Sequence, residues 1–486
     1  MKEQKNVVQN PFETGTLGSK LYRIPAIITL SDGSVMAAAD MRYNHGSDSP
    51  NNLDTLVAFS EDGYKDWKYT VVNYFDDYAD DATDKNSASF IDSVIAQSKK
   101  TGRIFIATDA YPYRAWVLDS KKGTGCVNVK GKKYIALSED GSDNYCCYIG
   151  DFDENGYAPV LNLADHSKTE YSVDKEYRLY QNSKPVMTKQ VGSDKEIQQS
   201  VFYASSSLKL LRTTFLWLRY SDDNGKTWSD PVMLNAQVKN ENEGFLGIAP
   251  GRMTVVNYKG KERIIFLVYT HGKVGNESVS SVYSDDNGVT WHRGERVRHS
   301  AAVGKTSECQ IVELPNGVLR MYCRNSGKFV ASCDSTDGGV SWTKARAIEE
   351  LPSNGNCMLS FINTDKTVNG KKVIMGSYAS NQFKRADGVV RTGVIEKDNS
   401  VTWIDTYHVN QGFYAYSCLT QLSDGNIGFL YEDEPAHISY KVLTVDDKGK
   451  ISDINGDNIE FKPENAGAKA TVRNIITKLQ KLFNVF

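Results

Sequence analysis

The sequence predicts an all-β fold built from repeated units, and two observations indicate it. The nonapeptide "YSDDNGKTW" at 220–228 returns almost unchanged as "YSDDNGVTW" at 283–291, and "STDGGVSW" at 335–342 keeps its skeleton. Short apolar or alternating segments, separated by Asp-Gly and Asn-Gly pairs as in "LTQLSDGNIGFLYE", recur from about residue 20 onward. Repetition at intervals of about 50 residues is typical of β-propellers. We therefore predict a propeller whose blades are short antiparallel strands.

Each repeated stretch predicts a hairpin turn. The copies share the pattern S-x-D-x-G-x-[ST]-W, here called the turn motif, and "SEDGYKDW" at 60–67 is a degenerate fourth copy. Short polar side chains and a permissive glycine suit a tight connection between strands. The Trp after the turn can fold over the sheet of its own hairpin. A calcium site is the alternative, but the Asp-x-Asp-x-Asp-Gly order of a calcium loop is absent, so we favour a structural role.

The spacing of the motif copies predicts an insertion. The interval between the degenerate first copy and the first complete copy holds one blade and a further Lys- and Tyr-rich segment that is strand-like but lacks the motif. This segment has no Pro/Gly/Ser low-complexity run, so a small inserted β domain is favoured over a linker. A 3.6-residue apolar period near the C-terminus predicts a short helix, which packs on the domain surface or, alternatively, lies on a membrane. The predicted boundaries are 1–111 for the first part of the propeller, 112–212 for the inserted domain, 213–465 for the rest of the propeller and 466–486 for the helix.

Composition excludes several classes of function. The 57 Lys and Arg nearly balance the 60 Asp and Glu, which argues against nucleic-acid binding. Eight cysteines without a C-x-x-C pair and only seven histidines argue against a zinc site. Most of these cysteines lie in apolar, strand-like segments, so buried free thiols are favoured over disulfides. No apolar window is long enough for a membrane span, and the first ten residues contain no apolar export segment.

Three arginines stand in otherwise apolar strand-like segments. They are Arg23 in "LYRIPAI", Arg324 in "MYCRNSG" and Arg385 in "NQFKRADGVV". Burying a guanidinium is unfavourable unless an anion pairs with it. Strand ends from different blades of a propeller converge on the central channel, so distant residues can share one pocket. We therefore predict a common anion-binding pocket, with separate surface or ion-paired arginines as the alternative.

The "YRIP" at 22–25, followed by several turn motifs, resembles the sialidase (neuraminidase) superfamily, and in particular its bacterial glycoside hydrolases. The resemblance covers about residues 10–445. It implies a six-bladed β-propeller, and 112–212 resembles the extra β domain that some Gram-positive sialidases insert. The implied function is a retaining exo-sialidase that hydrolyses terminal α-linked sialic acid from glycoconjugates through a covalent tyrosyl intermediate. No metal and no cofactor are expected.

The resemblance also implies roles for the arginines. Arg23, Arg324 and Arg385 match the family triad, which holds the substrate carboxylate by charge-assisted hydrogen bonds. Arg391 competes for the third place, and Arg385 is preferred because Asp-Gly follows it in "RADG", as in the family pattern. Glu432 in "FLYEDE" resembles the carboxylate that supports the first arginine.

The resemblance implies three catalytic residues. Tyr416 in "FYAYSCLTQL" resembles the nucleophile and Glu308 in "TSECQIVEL" its partner. A neutral phenol is not repelled by the substrate carboxylate, but a neighbouring carboxylate must accept its proton; sialidases are known for a tyrosine nucleophile. Asp48, on the loop "RYNHGSDSPNN", matches the acid/base aspartate. Arg42 and Asp109 resemble pocket residues that contact the substituents of the sugar ring.

Two other functions compete with hydrolysis. An intramolecular trans-sialidase, releasing 2,7-anhydro-sialic acid, resembles this chain, inserted domain included. Members of that branch carry a tryptophan on a loop after the nucleophile, whereas 431–441 has none and offers His437. Hydrolysis is therefore favoured. A non-catalytic propeller that binds sialoglycans is less favoured, because the Tyr, Glu and Asp are all present. We expect a monomer that acts on sialylated glycans or glycoproteins outside the cell or at its surface.

Overall fold

The computed structural model describes residues 7–82, 86–271 and 277–456. Over these residues the chain forms an all-β propeller of six successive antiparallel blades, with a further β-sheet between the second and third strands of blade 2. None of the helices in these ranges is long and apolar enough to cross a membrane. The C-terminal helix predicted at 466–486 lies outside the described residues.

The insertion lies within blade 2, the second of the first two blades. A 3-10 turn (Thr16–Gly18) precedes blade 1, which consists of β1 (Leu21–Thr29), β2 (Val35–Arg42), β3 (Leu53–Ser60) and β4 (Lys68–Asn73). Blade 2 begins with β5 (Ser89–Gln97) and β6 (Ile104–Tyr111). The inserted strands are β7 (Cys126–Val129), β8 (Lys132–Ser138), β9 (Cys147–Ile149), β10 (Tyr157–Asn162), β11 (Lys168–Asp174), β12 (Leu179–Gln181), β13 (Lys184–Pro185), β14 (Met187–Lys189), β15 (Glu196–Gln198) and β16 (Lys209–Leu210). Blade 2 is completed by β17 (Phe215–Ser221) and β18 (Val232–Met233), which are followed by a one-turn helix, α1 (Asn235–Val238).

The remaining blades follow in chain order. Blade 3 has a broken inner strand, because β19 (Phe245–Ile248) and β21 (Thr254–Tyr258) both pair with β22 (Lys261–His271), while β20 (Gly251–Arg252) between them pairs in parallel with β5. Blade 3 ends with β23 (Ser278–Ser284) and β24 (His292–Arg293). Blade 4 contains β25 (Thr306–Glu313), β26 (Leu319–Asn325), β27 (Phe329–Ser335) and β28 (Arg346–Pro352). Blade 5 contains β29 (Ser360–Val368), β30 (Lys371–Ala379), β31 (Gly388–Ile395) and β32 (Val401–His408), and blade 6 contains β33 (Ser417–Gln421), β34 (Ile427–Glu434), β35 (His437–Val445) and β36 (Ile451–Asp453).

Burial falls from the inside of each blade to the outside. All residues of β2 and β6 are buried, whereas β4 and β32 alternate between more and less exposed positions. A strand in the middle of a blade packs on both faces against neighbouring blades, and an outer strand keeps one face in water. The apolar runs of the sequence therefore mark the inner part of each blade.

The turn motifs connect the third and fourth strands of blades 2, 3 and 4. In the first copy, Asp223 Oδ1 accepts hydrogen bonds from the Ser221 hydroxyl (2.8 Å) and the Thr227 N–H (2.9 Å), and its Oδ2 accepts one from the Thr227 hydroxyl (2.6 Å). The bond from the Thr227 hydroxyl contributes most to holding the pKa of Asp223 at about 2. The copies that begin at Ser284 and Ser335 repeat this pattern. The motif carboxylates are thus satisfied within their own turns, as a structural role requires.

The motif tryptophans pack between blades. Trp291 is 2% exposed and contacts Phe266 of its own blade edge-on, with ring centroids 5.2 Å apart. Its ring also meets Phe105 of blade 2 edge-on at 6.4 Å. The sequence predicted that the tryptophan contacts its own hairpin. In the structure it also contacts the neighbouring blade, because the motif turn lies where two adjacent blades pack together.

The last blade packs against the first to close the ring. Tyr22 and Ile27 of β1 share one core cluster with Cys418 of β33 and Leu430 of β34. The Asn10 side-chain amide donates a hydrogen bond to the Ile438 carbonyl at 2.6 Å. Closure therefore depends on side-chain packing between strands from opposite ends of the chain.

The inserted strands form a separate sheet that shares a core with blade 2. Eight of them, all except β14 and β15, make one sheet, and β14 and β15 form a hairpin. Phe202, next to this sheet, packs against Trp217 of β17 with ring centroids 5.7 Å apart. All eight cysteines are free thiols, and six of them are buried.

Candidate active site

A cavity of about 340 Å³ lies at the end of the central channel where the inner strands begin. It is lined by residues from several blades, because β1, β5, β25 and β33 all start at this end. Six of the residues singled out in the sequence line it, namely Arg23, Asp48, Glu308, Arg324, Arg385 and Tyr416. The structure therefore brings together side chains that are up to several hundred positions apart in the chain.

Irregular strand starts direct several of these side chains. The pairing of β1 with β2 shifts between Arg23 and Ala26, and similar shifts occur near the starts of β5 and β25. Ile24 and Asp92 have φ values of 61° and 64°, in the left-handed region that side chains rarely adopt. Bulges of this kind re-aim side chains and concentrate next to functional sites. Here they accompany Arg23, Asp92 and Glu308 at the cavity.

The three arginines surround one phenol ring. The Cζ atoms of Arg23, Arg324 and Arg385 lie 5.3, 6.0 and 5.5 Å from the centroid of the Tyr416 ring. Arg391 is absent from the cavity, since it lies over the Trp403 ring and donates a hydrogen bond to a backbone carbonyl. Three converging guanidiniums can hold a carboxylate by paired, charge-assisted hydrogen bonds.

Glu432 fixes Arg23. Its two carboxylate oxygens accept hydrogen bonds from Arg23 Nε (3.0 Å) and Nη2 (3.1 Å), and Oε1 also accepts the Ile24 N–H at 3.0 Å. The Glu432 side chain is fully buried. The same carboxylate therefore orients the Arg23 guanidinium and holds the left-handed backbone of Ile24. The remaining nitrogen, Arg23 Nη1, faces the cavity and lies 3.4 Å from Asp48 Oδ1.

Tyr416, Glu308 and Arg324 form one hydrogen-bonded group. The Tyr416 hydroxyl donates to Glu308 Oε1 at 2.7 Å, and Arg324 Nη1 donates to Tyr416 Oη at 2.7 Å and to Glu308 Oε2 at 2.5 Å. Burial raises the pKa of Tyr416 well above its ordinary value, although Arg324 acts in the opposite direction. The phenol is therefore neutral at physiological pH, and Glu308 is placed to accept its proton when the oxygen attacks.

Asp48 lies at the rim of the cavity, with 65% of its side chain exposed. Its Oδ1 accepts a hydrogen bond from Arg42 Nη1 at 2.8 Å. Partial burial acts to raise the pKa of Asp48, but the positive charges of Arg42 and Arg23 outweigh it, so the pKa is lowered. Without substrate the carboxylate is ionised. An incoming anion that engages Arg23 would weaken this effect and favour the protonated form that a general acid needs.

The structure does not place Asp109 or Arg42 on the cavity wall. Asp109 is fully buried and accepts the Ile248 N–H at 3.1 Å, because it belongs to β6, the second strand of its blade. The prediction that it contacts substrate is corrected accordingly. The Arg42 side chain is also fully buried and pairs with Asp40 at 2.8 Å, so it acts on the cavity through Asp48.

Sequence reasoning missed further residues that line the cavity, among them Asp92, Tyr269 and Trp116. Burial raises the pKa of Asp92 well above its ordinary value, and the nearby carboxylate of Asp40 adds to the effect, so Asp92 can donate a hydrogen bond. Asp92 stands in the apolar segment "FIDSVIA", the same signal that identified the arginines. Tyr269 and Trp116 carried no comparable signal among the chain's 27 tyrosines and seven tryptophans.

Comparison with known proteins agrees with this geometry. A family profile described as a BNR repeat-like domain matches residues 170–429. The anhydrosialidase of Macrobdella decora is 32% identical over 491 residues, covering 92% of this chain and 63% of that protein. Sialidase B of Streptococcus pneumoniae is 27% identical over 461 residues, covering 88% of this chain and 64% of that protein. This chain thus spans slightly less than two thirds of the length of these two relatives.

Solved structures extend the comparison to the whole architecture. The intramolecular trans-sialidase from Ruminococcus gnavus, in complex with oseltamivir carboxylate, has a TM-score of 0.82 at 32% identity, covering 90% of this chain and 98% of that chain. A leech intramolecular trans-sialidase complexed with 2,7-anhydro-Neu5Ac also has a TM-score of 0.82, at 29% identity, and the match covers 91% of this chain and 71% of that chain.

Proposed function

This chain belongs to the sialidase family of BNR-repeat propellers, and on that basis we propose that it is a sialidase-type glycosidase acting on terminal α-linked sialic acid. Its substrates are sialylated glycans or glycoproteins. Such glycans are displayed at and outside cell surfaces, so we expect the enzyme to act there.

The Tyr416–Glu308 contact, inside a cavity bordered by three arginines, is the observation that carries this proposal. The arginines bind the substrate carboxylate and hold the anomeric carbon near Tyr416 Oη. As this oxygen attacks, Glu308 takes the phenol proton. Asp48 protonates the departing glycosidic oxygen, and a covalent tyrosyl intermediate remains. In the second step a hydroxyl attacks the same carbon and gives its proton to Asp48, while the carbon–Tyr416 Oη bond breaks and the phenolate takes its proton back from Glu308. Each step inverts the configuration, so the overall reaction retains it.

We further propose that a hydroxyl of the bound sugar, rather than water, resolves this intermediate and releases 2,7-anhydro-sialic acid. The support is the similarity to the Ruminococcus gnavus intramolecular trans-sialidase over 98% of its chain. The anhydrosialidase of Macrobdella decora, 32% identical to this chain, points the same way. The comparisons thus favour the alternative over the hydrolysis that the sequence analysis preferred.

Hydrolysis stays as a second candidate because of one observation. Segment 431–441 carries no tryptophan, and His437 in it is hydrogen-bonded through Nδ1 to Asp433 at 2.7 Å. A polar imidazole excludes water less well than an indole does. In favour of intramolecular transfer, Trp116 and Leu118 line the cavity with apolar side chains, which favours exclusion of water.

Product analysis in ¹⁸O-labelled water separates the candidates. The enzyme is incubated with a sialyl-lactose, and the released sugar is identified by mass spectrometry and NMR, with Tyr416→Phe as the inactive control. Intramolecular transfer gives a product lighter than free sialic acid by one water and without ¹⁸O. Hydrolysis instead gives free sialic acid with ¹⁸O at the anomeric carbon and would overturn the transfer proposal. Absence of any release from sialosides would overturn the glycosidase proposal and favour a binding module.

A further inference from the structure

A second cavity, of about 810 Å³, lies at the opposite end of the central channel. Its wall includes Thr29, Gln97, Glu313 and Gln421, at the ends of β1, β5, β25 and β33. The candidate active site lies where these same strands begin. The two cavities therefore occupy opposite ends of the channel, and the second one takes no part in the proposed reaction.

Arg252 lines this second cavity. The short strand β20 pairs in parallel with Val94 and Ile95 of β5, which holds Arg252 against the channel. Within 7–82, 86–271 and 277–456, its guanidinium forms no ion pair, and its Nε is buried without a hydrogen-bond acceptor.

Several other enclosed arginines among the described residues are paired. Arg263 donates to both oxygens of Asp285, at 2.7 and 2.6 Å, and Arg219 Nη2 donates to Glu176 at 2.5 Å. Buried charges in proteins are ordinarily paired, because an unpaired one loses its hydration without compensation. Arg252 has no such partner among the described residues, so an anion bound in its cavity would supply the missing partner.

No protein group near Arg252 supplies that charge in the described part of the chain. Burial lowers the pKa of Arg252, and the one group that opposes this effect is the Cys418 thiol, which is itself neutral because burial raises its pKa to about 11. Two carboxylates line the cavity, Glu313 and Asp365, but neither pairs with Arg252. Two further cations line it as well, Lys99 and Lys372.

We propose that this end of the channel binds a small monovalent anion of the halide class against the Arg252 guanidinium. The chemical class of the anion follows from the side chains that line the cavity near Arg252. The amides of Gln97, Gln310 and Asn363 each donate to a backbone carbonyl, at 2.9, 2.9 and 2.7 Å, so they are fixed and uncharged. Arg252 offers one positive charge with a buried Nε that has no acceptor, which suits one negative charge better than a phosphate dianion. The bound anion would link Arg252 of blade 3 to the neighbouring walls of the channel and stabilise the ring.

Thermal unfolding in bromide tests the proposal. Bromide replaces gluconate, a larger and more strongly hydrated anion, at constant ionic strength. The wild-type melting temperature should rise in a saturable way with bromide. Arg252→Gln should weaken the apparent bromide affinity by roughly tenfold or more, the loss of a charge-assisted contact. Lys99→Gln, which removes an exposed cation from the same cavity, should behave like the wild type. An equal bromide response in wild type and Arg252→Gln would overturn the proposal.

Anomalous diffraction provides a second test that needs no variant. Crystals of the wild-type protein grown in bromide should show an anomalous peak at hydrogen-bonding distance from the Arg252 guanidinium. This measurement decides the question if Arg252→Gln fails to fold. Bromide peaks confined to surface lysines, or no peak in the channel, would refute the site, whatever the outcome for the glycosidase activity.

Discussion

Replacing Arg324 by lysine should weaken the binding of a carboxylate-bearing ligand far more than that of its uncharged analogue. Arg324 shares its planar group among three partners, with Nη1 bonded to Glu308 and Tyr416 and Nη2 bonded to Asn356 at 3.1 Å. A lysine keeps the positive charge, but its donors radiate from one nitrogen. It cannot hold Glu308 and also offer a second, parallel N–H to the ligand.

The size of the effect follows from this count of bonds. The substitution forfeits one hydrogen bond to a charged group, worth about 1.5–3 kcal/mol. This corresponds to a rise in Kd of roughly 10- to 150-fold. A larger loss is not expected, because the ammonium group of the introduced lysine would still neutralise Glu308 and no buried charge would be left without a partner.

Calorimetric titration of two non-cleavable ligands measures the effect. One is a sialic-acid analogue with its carboxylate, and the other is the matching carboxamide, which cannot form the charge-assisted pair. The acid should lose the stated affinity in Arg324→Lys, and the amide should lose much less. Arg391→Lys is the matched control, because Arg391 lies outside the cavity over Trp403. Equal losses for acid and amide, or a comparable loss in the Arg391 variant, would refute the carboxylate-receptor argument.

Three further predictions concern other parts of the molecule. Tyr416→Phe should lower kcat by several orders of magnitude while the protein stays folded; a loss below about tenfold, or 1.4 kcal/mol of barrier, would rule out a nucleophile. Trp291→Ala should destabilise the fold by about 3–5 kcal/mol in thermal or urea unfolding and leave KM unchanged, since Trp291 is buried and does not line the cavity; a selective change in KM would contradict a structural role for the motif. Burial lowers the pKa of Lys239 to about 7, so the unfolded chain binds more protons than the folded one between about pH 7 and 10.4, and stability should rise across that window. Lys239→Met should flatten that rise, and an unchanged pH profile would contradict it.

Much of the fold was predictable from local sequence, but the number of blades was not. The turn motif occurs in blades 1 to 4, if the degenerate copy at 60–67 is counted. Blades 5 and 6 close their outer hairpins with different chemistry. In blade 6, for instance, Asp446 accepts the N–H groups of Lys448 and Lys450. Several side-chain arrangements satisfy a hairpin turn, so a missing motif does not mean a missing blade. Six blades followed from the family resemblance and from the structure.

The chemical character of the site was also present in the sequence. A charged residue within an apolar strand is energetically unfavourable without a partner or a ligand, so its occurrence is informative wherever the chain folds. This reasoning found Arg23, Arg324 and Arg385, and the family resemblance added Tyr416 and Glu308. The catalytic roles of these residues stay predictions until the variants are measured.

The sequence by itself determined the repeated strands, their turns and the kinds of side chain available to the site, because these depend on neighbours within a few positions. Only the tertiary structure decided which of these side chains meet. It selected Arg385 over Arg391, and it put Asp92 in the cavity while Asp109 bonds to Ile248 inside blade 2. Both aspartates stand in apolar strands that look alike locally. What separates them is that β5 is the first strand of its blade and β6 the second, and this rank is set by packing around the channel rather than by any local pattern of residues.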